Sequence, residues 1–520
     1  MKRIIIGGLW GGLSVLLLAM AIEARTYTIR TKAQWETWAY PRDILQVNER
    51  GELHLVYMRK HIDAMANAHT FSHQDAQKIV RYGGAFEVGS NPKDAPKAVD
   101  GDSNTWWAPD PEDDLENWWI TVDLGRLVAG TKLRLIFADT LGVRPFEQFA
   151  AYASPGVSTI PGEDVFDYMP VGRTTKPNQE RVVEYELQYA RHAAGDTTQY
   201  GEYWEATVDF LPIQYVMLVL DAKTARAGLA EVQVESVGDN LALGTLDRGG
   251  SWLAGTGRAT DALFDGELKS FWQILKRSES VWKEEGAYFE WDLGALFWLD
   301  QIHFFGSPLG WGGVVSRGQI TNVDGYIIGL SEGARTPSGE IDYEQIVDVD
   351  NREPPYEFFF KHTFPRRKAR YLFLRHAHGA GAAIWSESRA DITEMQIYGE
   401  GYPAGVTIES DFIDLGEIAG DRKAKNITAI GWVGDFPPGT KVEIRTKSGN
   451  ALEDVIHYYD QGGTEISKDK WERTPVSRRG PKEVTLRAGS DWSGYSEPYQ
   501  WSGERFLSPS LRRYMQFKVR

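Results

Sequence analysis

The segment Lys97-Ala-Val-Asp100-Gly-Asp102-Ser-Asn-Thr105-Trp-Trp107 returns about 165 residues later, degraded, as Ala262-Leu-Phe-Asp265-Gly-Glu267-Leu-Lys-Ser270-Phe-Trp272. Each copy is followed by a strand pattern ending in Asp-Leu-Gly, Trp119 to Gly125 and then Tyr288 to Gly294. Each closes on a short strand pattern with one glutamate, Leu229-Ala-Glu231-Val-Gln-Val and Ile392-Thr-Glu394-Met-Gln-Ile. Three landmarks in the same order at the same spacing mean two tandem copies of one domain. Further pairs fall into line: Phe149-Ala-Ala-Tyr152-Ala-Ser154-Pro-Gly156 with Gly325-Tyr326-Ile-Ile-Gly-Leu-Ser331-Glu-Gly333, and Gln214-Tyr215 with Arg370-Tyr371.

Short strand-like runs alternate with turn clusters, and no long segment of helical period appears. Trp, Tyr and Phe make up 12% of the 520 residues, with 19 tryptophans, which suits the pleated faces of β-sandwiches. The predicted architecture is therefore all-β, with two tandem antiparallel sandwiches over 82–238 and 239–404. Residues 25–81 are expected to form a hairpin and cap on the first copy, with Asn48-Glu-Arg-Gly51 as the hairpin turn and a short helix over His61 to Ala68. Residues 405–520 carry further strand patterns and predict a third β-sandwich. Its final pattern, Arg513 to Arg520, runs to the end of the chain without a turn, as in a fragment of a longer protein.

Residues 1–24 read as an export signal: Lys2 and Arg3, an apolar stretch from Ile4 to Leu18, then Ala19-Met-Ala21 as a small-x-small cleavage site. An uncleaved anchor is the alternative, although the apolar stretch is short for a full span. A secreted or surface-exposed protein of bacterial type is expected. The chain has no cysteine, which excludes disulfides and thiolate metal sites. A net charge of −16, spread along the chain, argues against a nucleic-acid partner.

The acidic stretch suits a hard cation. Calcium takes six to eight oxygen ligands from carboxylates, hydroxyls and carbonyls. A turn at Gly101 lets Asp100 and Asp102 aim at one centre, Thr105 adds a hydroxyl, the Lys97 carbonyl completes that side, and Glu231 arrives from the last strand. The second copy offers Ala262 (carbonyl), Asp265, Glu267, Ser270 and Glu394, a weaker set with a longer acid and a less rigid hydroxyl. Asp-Gly-Asp is equally an ordinary capped surface turn; the closing glutamate and the repetition favour the ion.

Taken together these residues resemble the discoidin, or coagulation-factor type C, family, which includes the family 32 carbohydrate-binding modules. The resemblance covers roughly residues 82–404. It implies a galactose-binding-domain-like jelly roll, a structural calcium held by the residues just named, and binding of glycans, or less often of lipid headgroups or proteins, through variable loops at one end. Aromatic and polar residues near those loop ends are candidate ligand contacts: Trp106 and Trp118 in the first copy, and Trp311, Arg375, His376, His378 and Trp385 in the second.

Gly329-Leu-Ser331-Glu-Gly333 matches the nucleophile elbow of serine hydrolases, but that elbow needs a strand-to-helix turn on a parallel sheet. The corresponding Ser154 in the first copy marks it as a strand end. His376 with His378, and His69 with His73, find no third metal ligand at useful spacing. No catalytic constellation emerges, so the expected function is non-catalytic binding of extracellular or cell-surface carbohydrate. The alternatives are an accessory region of a larger secreted carbohydrate-active enzyme and a surface or adhesion protein that binds protein partners.

Overall fold

The computed structural model describes residues 25–520 apart from 141, 161, 190–207, 256–259, 269, 271, 275–287, 307–324, 351–358, 377–389 and 462–464. The chain opens with a short helix, Lys32–Trp35, capped by Thr31. A hairpin follows, β1 (Leu45–Val47) with β2 (Leu53–Leu55). Its turn is the expected one: the Asn48 side chain accepts from the Arg50 and Glu52 amides, and Gly51 has φ +77°. His61 to Ala68 is not the expected helix. Lys60–Asp63 forms β3 and joins the first large sheet, because its period-two burial suits a sheet edge. A second hairpin, β4 (Ser72–Gln74) with β5 (Val80–Tyr82), carries His73.

The first copy contains β6 (Gly84–Val88), β7 (Trp119–Phe137), β8 (Phe149–Ser154), β9 (Met169–Arg173), β10 (Val182–Glu186), β11 (Leu211–Leu220) and β12 (Leu229–Gly238). Strand order is β3-β12-β7-β11-β8-β9, with β6 and β10 also on β7, and every pairing is antiparallel. The second copy repeats this with β13 (Ser251–Gly255), β14 (Trp272–Ile274), β15 (Tyr288–Gly306), β16 (Gly325–Ser331), β17 (Glu344–Asp350), β18 (Phe359–His376) and β19 (Ala390–Tyr398), in the order β14-β19-β15-β18-β16-β17 with β13 on β15.

Each copy hangs on one 19-residue strand that bends between the two layers of its sandwich. The first half of β7 pairs with β6 and the end of β11, the second half with β12 and β10. The Asp-Leu-Gly motif is that bend. Asp123 Oδ1 accepts the Gly125 amide at 2.7 Å, and Asp292 Oδ1 accepts the Gly294 amide at 2.8 Å. Gly125 and Gly294 take φ +71° and +81°, a region that costs residues with a Cβ about 1–2 kcal/mol.

Alternate residues fill the two cores. Ile120, Val122, Leu124, Val216, Leu218 and Leu220 face inward in the first; Phe289, Trp291, Leu293, Leu372 and Leu374 do so in the second. Trp107 and Trp272, the last residues of the repeated acidic stretch, are both completely buried. The copies also share a core, since Phe305, Phe359 and Tyr398 of the second pack within the first copy's cluster.

The third region is built of short antiparallel strands. Tyr514–Val519 pairs with Ile408–Glu409, Ile413–Asp414 and Ile444–Gly449, over a small core of Ile430, Ile444, Tyr499, Phe506 and Met515. The leading segment packs on the first copy through β3 and also touches the other two regions. Met58 bridges to Gly401, Asp43 binds Arg248, and Trp38 stacks on Phe517 at 5.8 Å. The apolar faces that do this, Trp38, Ile44 and Leu45, are too few for a core of their own. Among the described residues no helix is long and apolar enough to cross a membrane.

Candidate functional site: two acidic corners

The two ends of each copy meet in space. In the first, a 3₁₀ turn over Ala95–Ala98 leads into the acidic stretch, with the Lys97 ammonium 2.7 Å from Asp94. Gly101 turns the chain at φ +78°. Asp100 Oδ1 then accepts the Asp102 amide at 2.9 Å, and its Oδ2 accepts the Thr105 hydroxyl at 2.7 Å. Glu231, arriving on β12 and 5% exposed, comes within hydrogen-bonding reach of the Asp100 carboxyl and the Gly101 amide. Burial, then the Asp100 carboxyl, pushes the Glu231 pKa up to about 7. Its Oε1 is buried without a hydrogen-bond partner.

The second corner repeats the turn bonds and the glutamate's bond to the glycine amide. Ala262 lies in the 3₁₀ turn Thr260–Leu263 that leads in, and Gly266 turns at φ +75°. Asp265 Oδ1 accepts the Glu267 amide at 2.9 Å, and Oδ2 accepts the Ser270 hydroxyl. Glu394 Oε2 accepts the Gly266 amide at 3.2 Å. Glu394 is wholly buried, which drives its pKa well above the ordinary value, and its Oε1 also lacks a partner. Packing lifts Asp265 to about 6, although its outer edge stays exposed.

A buried carboxylate with an orphaned oxygen costs free energy unless it is protonated or meets a cation. Each corner therefore fits a hard cation by its donor chemistry: one buried glutamate, one aspartate, and a hydroxyl held on that aspartate. Among the described residues no cluster of three or more His, Asp or Glu side chains is close enough to hold a metal, so hydroxyl and carbonyl oxygens would complete the set. Asp102 departs from its expected part. Its carboxylate accepts the Asn104 amide at 3.0 Å and the Asn104 side chain at 2.7 Å, which hold its pKa low. What Asp102 turns toward Thr105 is its carbonyl, 3.1 Å from the hydroxyl. Both bonds fall on Oδ1, so a turn closed within two residues occupies that oxygen.

The expected ligand contacts fare differently. Trp118 is 4% exposed and belongs to the core, so it is no surface platform. The step into β7 turns its indole inward, and Lys223 lies over the ring at 5.4 Å. Trp106 is half-buried against Gly228, where any Cβ would stand 2.3 Å from its ring. Arg375 is half-buried on β18 opposite Tyr288, and His376 ends that strand. Trp311, His378 and Trp385 lie outside the described residues. Ser331, in the hydrolase-like sequence, is 6% exposed and accepts the Gly333 amide at 3.0 Å, as Ser154 accepts Gly156. It closes a strand end in both copies.

No family model and no curated protein matches the chain. Its neighbours among solved structures are family 32 carbohydrate-binding modules and other domains of galactose-binding type. Two tandem family 32 domains of Clostridium perfringens ZmpB, solved with GalNAc, are 11% identical over 66% of this chain and 96% of theirs, with a TM-score of 0.21. The fucolectin of striped bass (Morone saxatilis) serum is 13% identical over 66% of this chain and 99% of its own, with a TM-score of 0.24. Allantoicase from Saccharomyces cerevisiae is 8% identical over 65% and 92%, with a TM-score of 0.24. The two corners, rather than these likenesses, carry the functional reading.

Proposed function

We propose that the protein is an exported, non-catalytic recognition protein for extracellular or cell-surface glycans, with its two jelly rolls pinned by calcium at the acidic corners. The observation that carries this reading is the duplicated corner. The polar chemistry that repeats is directed inward, onto a buried glutamate, and ties the first turn of a copy to its last strand. Such a site holds a fold together, and recognition is left to the surfaces around it. The glycan class follows from the ordered landmarks that both copies share with discoidin-type domains.

Bound calcium would supply the positive charge that Glu231 and Glu394 lack. Asp100 and Asp265 would hold it from the turn, and Thr105 and Ser270 would add hydroxyl oxygens once freed from their aspartates. Because the glutamates favour their protonated forms, cation uptake competes with protons and weakens as pH falls. The export reading rests on Lys2, Arg3 and the apolar stretch from Ile4 to Leu18.

The test is binding of the whole secreted chain to a broad glycan panel, with calcium and with chelator. Retention on a defined subset of glycans is expected. Uniform absence of binding, from a protein whose melting curve shows it folded, overturns the reading.

A further inference from the structure

The outer face of the first copy contains a groove that the corners do not explain. Residues 119, 121 and 123 of β7 and 215, 217 and 219 of β11 point away from the core, and Tyr215 pairs with Asp123, Met217 with Thr121 and Val219 with Trp119. The segment around Phe166 covers part of this face: Phe166 stacks on Tyr215 at 4.4 Å, and the Tyr168 hydroxyl bonds Thr121. The cover stops short of the strand ends. There it leaves an open groove of about 390 Å³ lined by Phe86, Trp119, Phe166, Tyr168, Met217 and Val219, with the Glu87 and Asp164 carboxylates at its edge.

The second copy explains why the groove exists. Its equivalent strands put Tyr288 opposite Arg375, Glu290 opposite Phe373 and Asp292 opposite Tyr371. Phe373 sits between the rings of Tyr288, at 6.2 Å, and Tyr343, at 5.4 Å, and Tyr343 bonds Glu290 at 3.2 Å. The first copy has Met217 in place of Phe373 and Val219 in place of Arg375. At these two positions the second copy carries the larger side chains, Phe373 and Arg375.

We infer that this groove is the glycan site of the first copy, and that its ligand is an uncharged pyranose. The inference rests on the proposed glycan reading and deepens it. Flat aromatic rings suit the C–H face of a sugar, and carboxylates at the edge accept from its hydroxyls. The lining contains two carboxylates and no Lys, Arg or His. A uronate, sialate or sulfated sugar would place its anion beside Glu87 and Asp164 with nothing to compensate it. The groove is lined by no residue of either cation corner, so calcium acts on it only through the stability of the fold.

The experiment uses the whole protein and a panel of uncharged oligosaccharides terminating in galactose, N-acetylgalactosamine, glucose or mannose, with uronate- and sialate-terminated partners. Trp119→Ala is expected to weaken binding of the uncharged members at least tenfold. The double change Met217→Phe with Val219→Arg, which installs the side chains of the second copy, is expected to do the same with the melting temperature preserved. If Trp119→Ala fails to fold, the double variant decides alone. Variants that bind like the unaltered protein overturn the groove while leaving glycan binding elsewhere intact. Preference for the acidic sugars overturns the ligand class, and binding to no member of either set overturns both readings.

Discussion

Glu231 and Glu394 are placed where an isolated carboxylate would be least stable. Each is sealed by its own strand with one oxygen unpartnered, and each faces an aspartate rather than a base. Calcium should therefore raise the melting temperature of the copies, by an amount set by RT ln(1 + [L]/Kd), about 2.7 kcal/mol at a hundredfold excess over Kd. Asp100→Ala should abolish the share of this shift that belongs to the first copy, read by calorimetry with and without chelator. A melting curve indifferent to chelator defeats the cation while leaving the fold untouched. Glu394→Gln should split the two conditions, stabilising the protein in chelator and destabilising it in calcium. A variant that moves in the same direction in both would show that the corner holds no cation.

The Asp-Leu-Gly bend is the element on which each copy turns, and the copies satisfy its aspartate differently. Asp292 receives a bidentate pair from Arg370 of β18, 2.8 Å at each contact. The equivalent position in the first copy is Gln214, 3.3 Å from Asp123, and the basic partner comes instead from the leading segment, with His73 Nε2 2.6 Å from Asp123. Leaving a buried hydrogen-bonding group without its partner costs about 1–3 kcal/mol. His73→Ala should be destabilising on that scale, and much less so when Gln214→Arg restores the arrangement of the second copy. A double-mutant cycle in urea measures the difference, and additive effects would refute the equivalence. At the same bend, Gly125→Ala should cost more than Gly101→Ala. Both glycines have positive φ, but a Cβ at Gly125 would lie 2.8 Å from the Ala68 carbonyl oxygen, whereas at Gly101 it would meet nothing within 4 Å.

At the scale of the whole molecule, the two copies are fused rather than strung together. The Leu127 amide bonds the Gly266 carbonyl at 2.8 Å, so the bend of the first copy sits on the acidic corner of the second. Gln396 bonds the Leu127 carbonyl at 3.2 Å, and Phe210 stacks on His303 at 4.4 Å. His303 is completely buried, and burial holds its pKa well below 6.5; His362 is held at about 4 by the same cause. Both are neutral in the fold and protonate more readily when unfolded. Their contribution to stability is full above pH 6.5 and is lost as pH falls toward the depressed pKa values. Between pH 6.5 and 5 the stability of the His303→Phe variant should fall less steeply than that of the unaltered protein, by up to about 1.4 kcal/mol per pH unit. Equal slopes in urea unfolding would place the titrating groups elsewhere.

Much of this was legible in the chain, for reasons that differ by residue. Asp100 with Thr105, and Asp265 with Ser270, are five residues apart, and one turn brings each pair together whatever the rest of the molecule does. Glu231 and Glu394 were legible only because the repeat marked them twice. The local bonds of the Asp102 carboxylate were not legible, because spacing alone does not say that Asn104 donates to it twice. Trp118 was misjudged because sequence alternation does not say which face of a strand is covered. The groove could not be foreseen. Phe86, Trp119, Phe166 and Met217 come from four separate segments, and the opening depends on side chains that are absent as much as on those that line it.

By itself the sequence determined the duplication, the all-β class and the pairing of each turn aspartate with its hydroxyl, since each depends on spacing within a turn or alternation along a strand. Only the tertiary structure decided that the leading segment supplies His73, that residues of the second copy pack into the first copy's core, and that one outer face of the first copy holds an open groove. Those outcomes depend on which surfaces meet across hundreds of residues, and on whether one side chain is large enough to close the space between them.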